Sequence, residues 1–216
     1  SYLPKKDSNK EKKVFFLYTI LISILVIVGF SLLYIFKSPE NYYRVARIYY
    51  VIEYILLTYF FSLYITNKSV KKILLLSPIA YFLFCIYDFV NEEVPSLPFI
   101  PASVEHIVLL TFIIYFFFEV MQESVVEPIY QKAIFWISVA FIINSSGNFF
   151  LFLYSKNSFN DDIFKRQYTI IYTTVTILKN ILLCISILIK ENKEISSTHT
   201  PIEIDLDSFH PFKNQK

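Results

Sequence analysis

Long apolar runs alternate with short polar stretches along the chain. A helix needs about 20 mostly apolar residues to cross roughly 30 Å of hydrocarbon, and six runs reach that length. They cover approximately residues 14–36, 42–66, 70–91, 104–121, 131–155 and 166–190. The pattern therefore predicts an all-α fold, a polytopic bundle of six transmembrane helices.

The polar ends of the chain are expected to lie outside this bundle. Residues 1–13 form a basic N-terminal segment, and the apolar run that follows is longer than the core of a signal peptide. Residues 191–216 are polar and lack helical periodicity, which predicts a disordered tail. Because the first residue is Ser1 rather than Met, a seventh helix preceding it is an open alternative.

The connection between the third and fourth runs is rich in proline. It carries Pro95, Pro98 and Pro101, a spacing that favours an extended, polyproline-like segment over 92–103 and disfavours helix there. Ser103 has a side chain suited to an N-cap, so the fourth helix is expected to begin directly after it.

Lys and Arg are distributed unevenly between the two sides of the predicted bundle. The side with both termini collects thirteen of the twenty, the other side collects six, and Lys179 lies within the last helix. The positive-inside rule then places both termini, including the C-terminal tail, in the cytoplasm.

Composition supports a membrane protein and excludes several other classes. Hydrophobic residues make up 55% and charged residues 18%, with a mean hydropathy of +0.50, whereas soluble domains carry about 25% charged residues. The chain has only two glycines, Gly29 and Gly147, which excludes glycine-rich phosphate loops and GxxxG helix pairing. The net charge of +2 is too small to indicate a nucleic-acid partner.

Polar side chains inside the apolar runs are the candidate functional residues. An ionisable group at the bilayer centre costs about 2.5–3.5 kcal/mol on the insertion scale, so each one is a functional hypothesis. Counting along the predicted helices places Glu53, Lys179 and Asn144 near the midplane. The candidate cluster consists of Glu53, Asn144, Ser145, Asn148, Lys179 and Asn180. It is either a ligand or ion site, or a Glu53–Lys179 pair bridged by Asn144 that holds the bundle together.

Two further polar groups receive simpler interpretations. Asp88, Glu105 and His106 fall at predicted helix ends, and their spacing matches no metal motif, so no metal site is expected. Small polar residues on one face of the last helix are expected to pack against neighbouring helices. They are Thr169, Thr173, Thr176, Asn180 and Cys184.

Four stretches of the chain carry a resemblance to other membrane proteins. They are YYVIEYILLTYFF (49–61), PASVEHIV (101–108), FWISVAFIINSSGNFFLFLY (135–154) and ILKNILLCISILIK (177–190). They resemble a group of uncharacterised polytopic inner-membrane proteins common in Bacteroidota, over roughly residues 40–190, whose members often have seven helices. The resemblance implies a multi-pass protein of the bacterial inner (cytoplasmic) membrane, in which Glu53, Asn148, Lys179 and Asn180 are features of the group.

These patterns favour a non-enzymatic protein surrounded by the lipid bilayer. The leading hypothesis is a small-ligand receptor or sensor module, or an accessory subunit that contacts a protein partner or a second copy in the membrane. The alternative is a small transporter or channel that uses Glu53 and Lys179. No catalytic residues can be assembled at one depth, so an intramembrane enzyme is the least favoured class.

Lys179 also suggests a covalent alternative. A lysine in the last helix with a carboxylate at the same depth resembles the retinal-binding arrangement of rhodopsins. Retinal pockets are usually walled by several bulky aromatics including tryptophan, and Trp136 is the only tryptophan here. No cofactor is therefore expected, and a Glu53–Lys179 ion pair is the preferred interpretation.

Overall fold

A computed structural model describes residues 8–92, 96–122, 129–158 and 161–189, without the side chains of residues 8–12 and 157. It confirms the all-α prediction, because these ranges contain six long helices and no strand. All six are long and apolar enough to cross a membrane. The helices are α1 (Ser8–Phe30), α2 (Pro39–Ser62), α3 (Lys68–Val90), α4 (Phe99–Gln122), α5 (Ala133–Ser158) and α6 (Asp162–Leu188). A π-helical turn, Ser31–Ile35, continues α1, and a short 3₁₀ turn, Ile129–Gln131, precedes α5.

Local capping explains where several helices begin. The Asn67 side chain accepts hydrogen bonds from the backbone N–H groups of Ser69 and Val70 at the start of α3. Asp161 accepts one from Ile163 at the start of α6, and α2 begins with Pro39. These caps satisfy N–H groups that have no partner within their own helix.

The start of α4 corrects the expectation of an extended segment up to Ser103. The helix begins at Phe99 and includes Pro101, because the missing N–H of a proline is not needed in a first turn. Ser103 is not an N-cap; its hydroxyl donates to the carbonyl of Phe99 within the helix. Residues 93–95 lie outside the described ranges.

The described residues include part of the N-terminal segment but not the C-terminal tail. The basic N-terminal segment is helical from Ser8 onward, since α1 begins there. The predicted tail, residues 191–216, lies outside the described residues.

Three helices form the interior of the bundle and three flank it. About 39%, 33% and 50% of the apolar windows of α2, α4 and α5 are buried, against 11%, 11% and 17% for α1, α3 and α6. In the described ranges α6 packs its backbone against α5, and its Cα atoms do not come within 8 Å of those of α1 or α2. The backbones of α6 and α2 are therefore not in direct contact.

Gly147 allows α6 to lie close against α5. A Cβ atom built on Gly147 would lie 2.7 Å from Cγ2 of Val175 on α6, closer than real side-chain contacts. The small number of glycines excludes a GxxxG pair, yet one glycine at this contact is enough to bring two helix backbones together.

The polar face of α6 lies differently from the expectation. Four of its residues are exposed on the outside of the bundle rather than packed between helices, and one is half-buried. The exposed ones are Thr169, Thr173, Asn180 and Cys184, and the half-buried one is Thr176. The prediction was wrong because α6 turns a different face, centred on Val175 and Lys179, toward the interior.

Candidate functional site: a buried polar cluster

Four ionisable side chains from three helices are buried inside the bundle. Their exposed fractions are 2% for Glu53 on α2, 0% for Glu105 and 3% for His106 on α4, and 9% for Lys179 on α6. Helix α5 contributes two buried amides, Asn144 and Asn148. We call the set the polar core cluster: Glu53, Glu105, His106, Asn144, Asn148 and Lys179.

Glu53 is held by a residue that the sequence did not identify. The Tyr18 hydroxyl, on α1, donates to Oε1 of Glu53 at 2.9 Å. The Tyr18 ring also lies 5.8 Å from the ring of Phe141 on α5, in an edge-on arrangement. A tyrosine inside an apolar run was the available signal, since a buried phenol usually has a hydrogen-bond partner.

Lys179 does not pair with Glu53. Its ammonium nitrogen lies 6.0 Å from the centre of the Phe141 ring. The ion pairs that the described residues form within 4.0 Å use Arg47 and Lys165 as their cations. The predicted Glu53–Lys179 pair is therefore not formed. The prediction was wrong because residue spacing gives the depth of a side chain along a helix but not its direction about the helix axis.

Glu105 and His106 belong to the polar core cluster rather than to an outer layer. The Tyr81 hydroxyl on α3 lies 3.4 Å from Oε2 of Glu105. Glu105 lies within electrostatic range of both Glu53 and Lys179. The sequence placed Glu105 in the first turn of its helix; because α4 begins at Phe99, it lies a full turn deeper.

Asp88, which the sequence grouped with Glu105 and His106, lies elsewhere. Arg47 donates to Asp88 at 3.0 Å and also to Glu92, where α2 begins and α3 ends. We call Arg47, Asp88 and Glu92 the rim cluster. Among the described residues there is no group of three or more His, Cys, Asp or Glu side chains that could hold a metal ion.

The α5 residues predicted for the site are buried, whereas Asn180 is not. The Asn148 amide donates to Oδ1 of Asn144 at 3.1 Å, and Ser145 is fully buried. Asn180 is exposed on α6, because consecutive helical residues point about 100° apart and Lys179 faces inward. Asn180 therefore does not contribute to the polar core cluster.

Several buried polar atoms of the cluster have no hydrogen-bond partner in the described part of the protein. They include Oε1 of Glu105, Nδ1 of His106 and Oδ1 of Asn148. The hydroxyls of Ser138 and Ser145 on α5 share this property. Buried polar atoms are paired in the large majority of cases, so this cluster has hydrogen-bonding capacity that the described side chains do not use.

Aromatic side chains fill the space between α2 and α6 on one side of the cluster. Phe152 of α5 stacks face to face on His106 at 5.4 Å. Its ring also lies 6.0 Å from that of Tyr50 and 6.1 Å from that of Tyr172. We call these rings the aromatic seam: Tyr49, Tyr50, Phe152, Tyr168 and Tyr172. Tyr50 and Tyr172 are half-buried, so side chains alone separate the cluster from the outside there.

Comparison of the chain with protein-family models, with curated proteins and with solved structures found no match. The resemblance to the Bacteroidota membrane proteins thus stays a prediction.

Proposed function

We propose that this protein is a non-enzymatic membrane receptor, a sensor module that binds a small polar ligand at the polar core cluster. The observation that carries the proposal is the set of unpartnered buried atoms on Glu105, His106 and Asn148. Glu105 itself lies within electrostatic range of the buried Glu53 of α2 and the buried Lys179 of α6. A ligand could supply hydrogen-bond partners for the unpartnered atoms and connect α6 with α2 and α4, since the described Cα atoms of α6 do not come within 8 Å of those of either helix.

A purely structural role explains the cluster less well. Polar contacts between membrane helices contribute only about 0.6–2 kcal/mol, whereas each charge inserted near the bilayer centre costs about 2.5–3.5 kcal/mol. Among the residues that the structure describes, Lys179 gains no carboxylate within 4.0 Å to offset its cost. Apolar side chains of similar size would hold these helices together at lower cost.

A transporter is less well supported than a receptor. Transporter sites are typically built from discontinuous helices, but α3 runs through Pro78 without a break. The π-helical turn Ser31–Ile35 lies at the end of α1, away from the cluster residues.

A membrane partner or a second copy is the accompanying proposal. The exposed polar residues of α6, such as Thr173 and Asn180, would face hydrocarbon, which offers no hydrogen-bond partners. Cys184 lies on the same exposed face. In a Cys85→Ala background, oxidation of membranes should give a Cys184-linked dimer if a second copy covers this face, and monomer alone would contradict self-association there.

The expected location is the bacterial inner membrane with both termini in the cytoplasm. Lys and Arg counts support this orientation. Reporter fusions at the C-terminus should be active only as cytoplasmic reporters, and periplasmic activity would reverse the topology.

Ligand-dependent thermal unfolding in detergent tests the receptor proposal. A panel of small polar compounds is screened against the full chain, and a true ligand should raise the midpoint in a dose-dependent manner. Glu105→Gln and Lys179→Met should change that response, whereas Glu40→Gln and Lys165→Met, at exposed positions, should not. A ligand that stabilises all four variants equally would bind elsewhere, and ligand accumulation in proteoliposomes would indicate a transporter instead.

A further inference from the structure

The polar core cluster contains more acidic than basic side chains. Glu53 and Glu105 supply two buried carboxyl groups, and Lys179 supplies one ammonium group. His106 stacks on Phe152 and supplies an imidazole rather than a fixed charge. A further positive charge would stabilise the ionised form of the second carboxyl group, since an uncompensated buried charge is costly.

The unpartnered atoms favour a ligand that donates hydrogen bonds. Oε1 of Glu105 and Oδ1 of Asn148 are acceptors, and neither has a donor in the described part of the chain. The other three unpartnered groups, Nδ1 of His106 and the hydroxyls of Ser138 and Ser145, can also accept. A ligand carrying N–H groups would complete both Oε1 of Glu105 and Oδ1 of Asn148. A carboxylate or another pure acceptor would complete neither.

The rings around the cluster also favour a cation. The Phe141 ring already lies beside the Lys179 ammonium; Tyr18 and Tyr81 contact the two carboxyl groups through their hydroxyls rather than through their ring faces. Aromatic faces carry partial negative charge and attract ammonium groups. The half-buried rings of the aromatic seam could receive the apolar part of the same ligand.

This inference rests on the proposed function. We propose that the ligand is a small organic cation whose ammonium group is bound by Glu105 and Glu53, with its apolar part against the aromatic seam. Lys179 then opposes the ligand electrostatically rather than binding it.

Three compounds of similar size and different charge test the charge of the ligand. n-Propylammonium, propionate and β-alanine are titrated into the millimolar range against the full chain in an uncharged detergent. We expect n-propylammonium to raise the unfolding midpoint and propionate to leave it unchanged. A response to propionate or β-alanine alone would overturn the cation assignment and leave the receptor proposal standing. If none of the three acts, the cation assignment fails, and the broader panel decides the receptor proposal separately.

Two substitutions should change the affinity for n-propylammonium in opposite directions and so identify the residues that interact with it. Glu105→Gln should weaken n-propylammonium binding at least about tenfold, because a charge-assisted hydrogen bond is lost. Lys179→Met should strengthen it, since a like charge is removed; an anionic ligand would respond in the opposite direction. Glu40→Gln and Lys165→Met are the matched exposed controls. Glu53→Gln replaces Glu105→Gln if circular dichroism shows that the latter does not fold, and unchanged binding in the folded variant would contradict the site.

Discussion

The rim cluster and the polar core cluster have similar charged groups and opposite degrees of pairing. Each combines two carboxyl groups with one lysine or arginine side chain, and each uses a residue of α2. At the rim, Arg47 contacts both carboxylates, and Glu92 also accepts hydrogen bonds from the backbone and hydroxyl of Ser96. In the core, Lys179 contacts neither Glu53 nor Glu105 within 4.0 Å.

The difference follows from side-chain chemistry and position. The planar guanidinium of Arg47 presents several donors and can serve two carboxylates at once. The rim side chains keep partial exposure, 12% for Arg47 and 28% for Asp88, so they are not fully removed from their surroundings outside the bundle. The polar core cluster has no guanidinium group, and its charged side chains are almost fully buried. A closed ion-pair network indicates a structural contact between α2 and α3, whereas unpartnered buried atoms indicate a site for another molecule.

Removing the rim cation should have the largest effect on stability. Arg47→Met leaves Asp88 and Glu92 without their partner and should lower the free energy of unfolding by about 2–3 kcal/mol, somewhat less than for a fully buried pair. Arg44→Met, at an exposed position on the same helix, should change it little. Unfolding in detergent measures both, and equal losses would mean that the rim network is not stabilising.

Separating α5 from α6 should disturb the core and spare the rim. Gly147→Ala forces a methyl group against Val175 and should cost about 1–3 kcal/mol through overpacking. Gly29→Ala is the matched control, because its methyl group would lie 3.5 Å from Tyr42, an ordinary contact. Thermal unfolding should separate the two variants; a Gly147→Ala protein as stable as Gly29→Ala would contradict the close packing of the helices.

Removing the Tyr18 hydroxyl should have an intermediate effect. Tyr18→Phe leaves Oε1 of Glu53 without its 2.9 Å donor, with an expected loss of about 1–2 kcal/mol. Tyr59→Phe, at an exposed site on α2, serves as the control. The two should differ in unfolding midpoint, and if they do not, the hydrogen bond contributes nothing measurable.

The smallest expected effect is the interaction free energy between Glu53 and Lys179 in a double-mutant cycle. The single changes Glu53→Gln and Lys179→Met should combine additively to within about 0.5 kcal/mol, as for residues that do not touch. The cycle with Arg47→Met and Asp88→Asn should show clear coupling, because those side chains bond at 3.0 Å. An interaction free energy of about 1 kcal/mol or more between Glu53 and Lys179 would support the ion pair predicted from the sequence.

Much of the candidate site could be predicted from residue type and depth. Glu53, Asn144, Asn148 and Lys179 are buried polar residues inside apolar runs, and the structure buries all four. Glu105 and His106 were assigned to a helix end because the prolines suggested a later start for α4. Tyr18 was missed because a tyrosine in an apolar run signals a need for a partner without naming one.

The sequence by itself determined the number and type of the helices, because an apolar run of membrane length is a local property that needs no knowledge of its neighbours. Only the tertiary structure decided which polar groups meet. The direction in which a side chain points depends on how each helix is rotated, and that rotation is set by distant contacts such as Gly147 against Val175. This is why Glu53 meets Tyr18 rather than Lys179, and why Lys179 faces inward while Asn180 faces out.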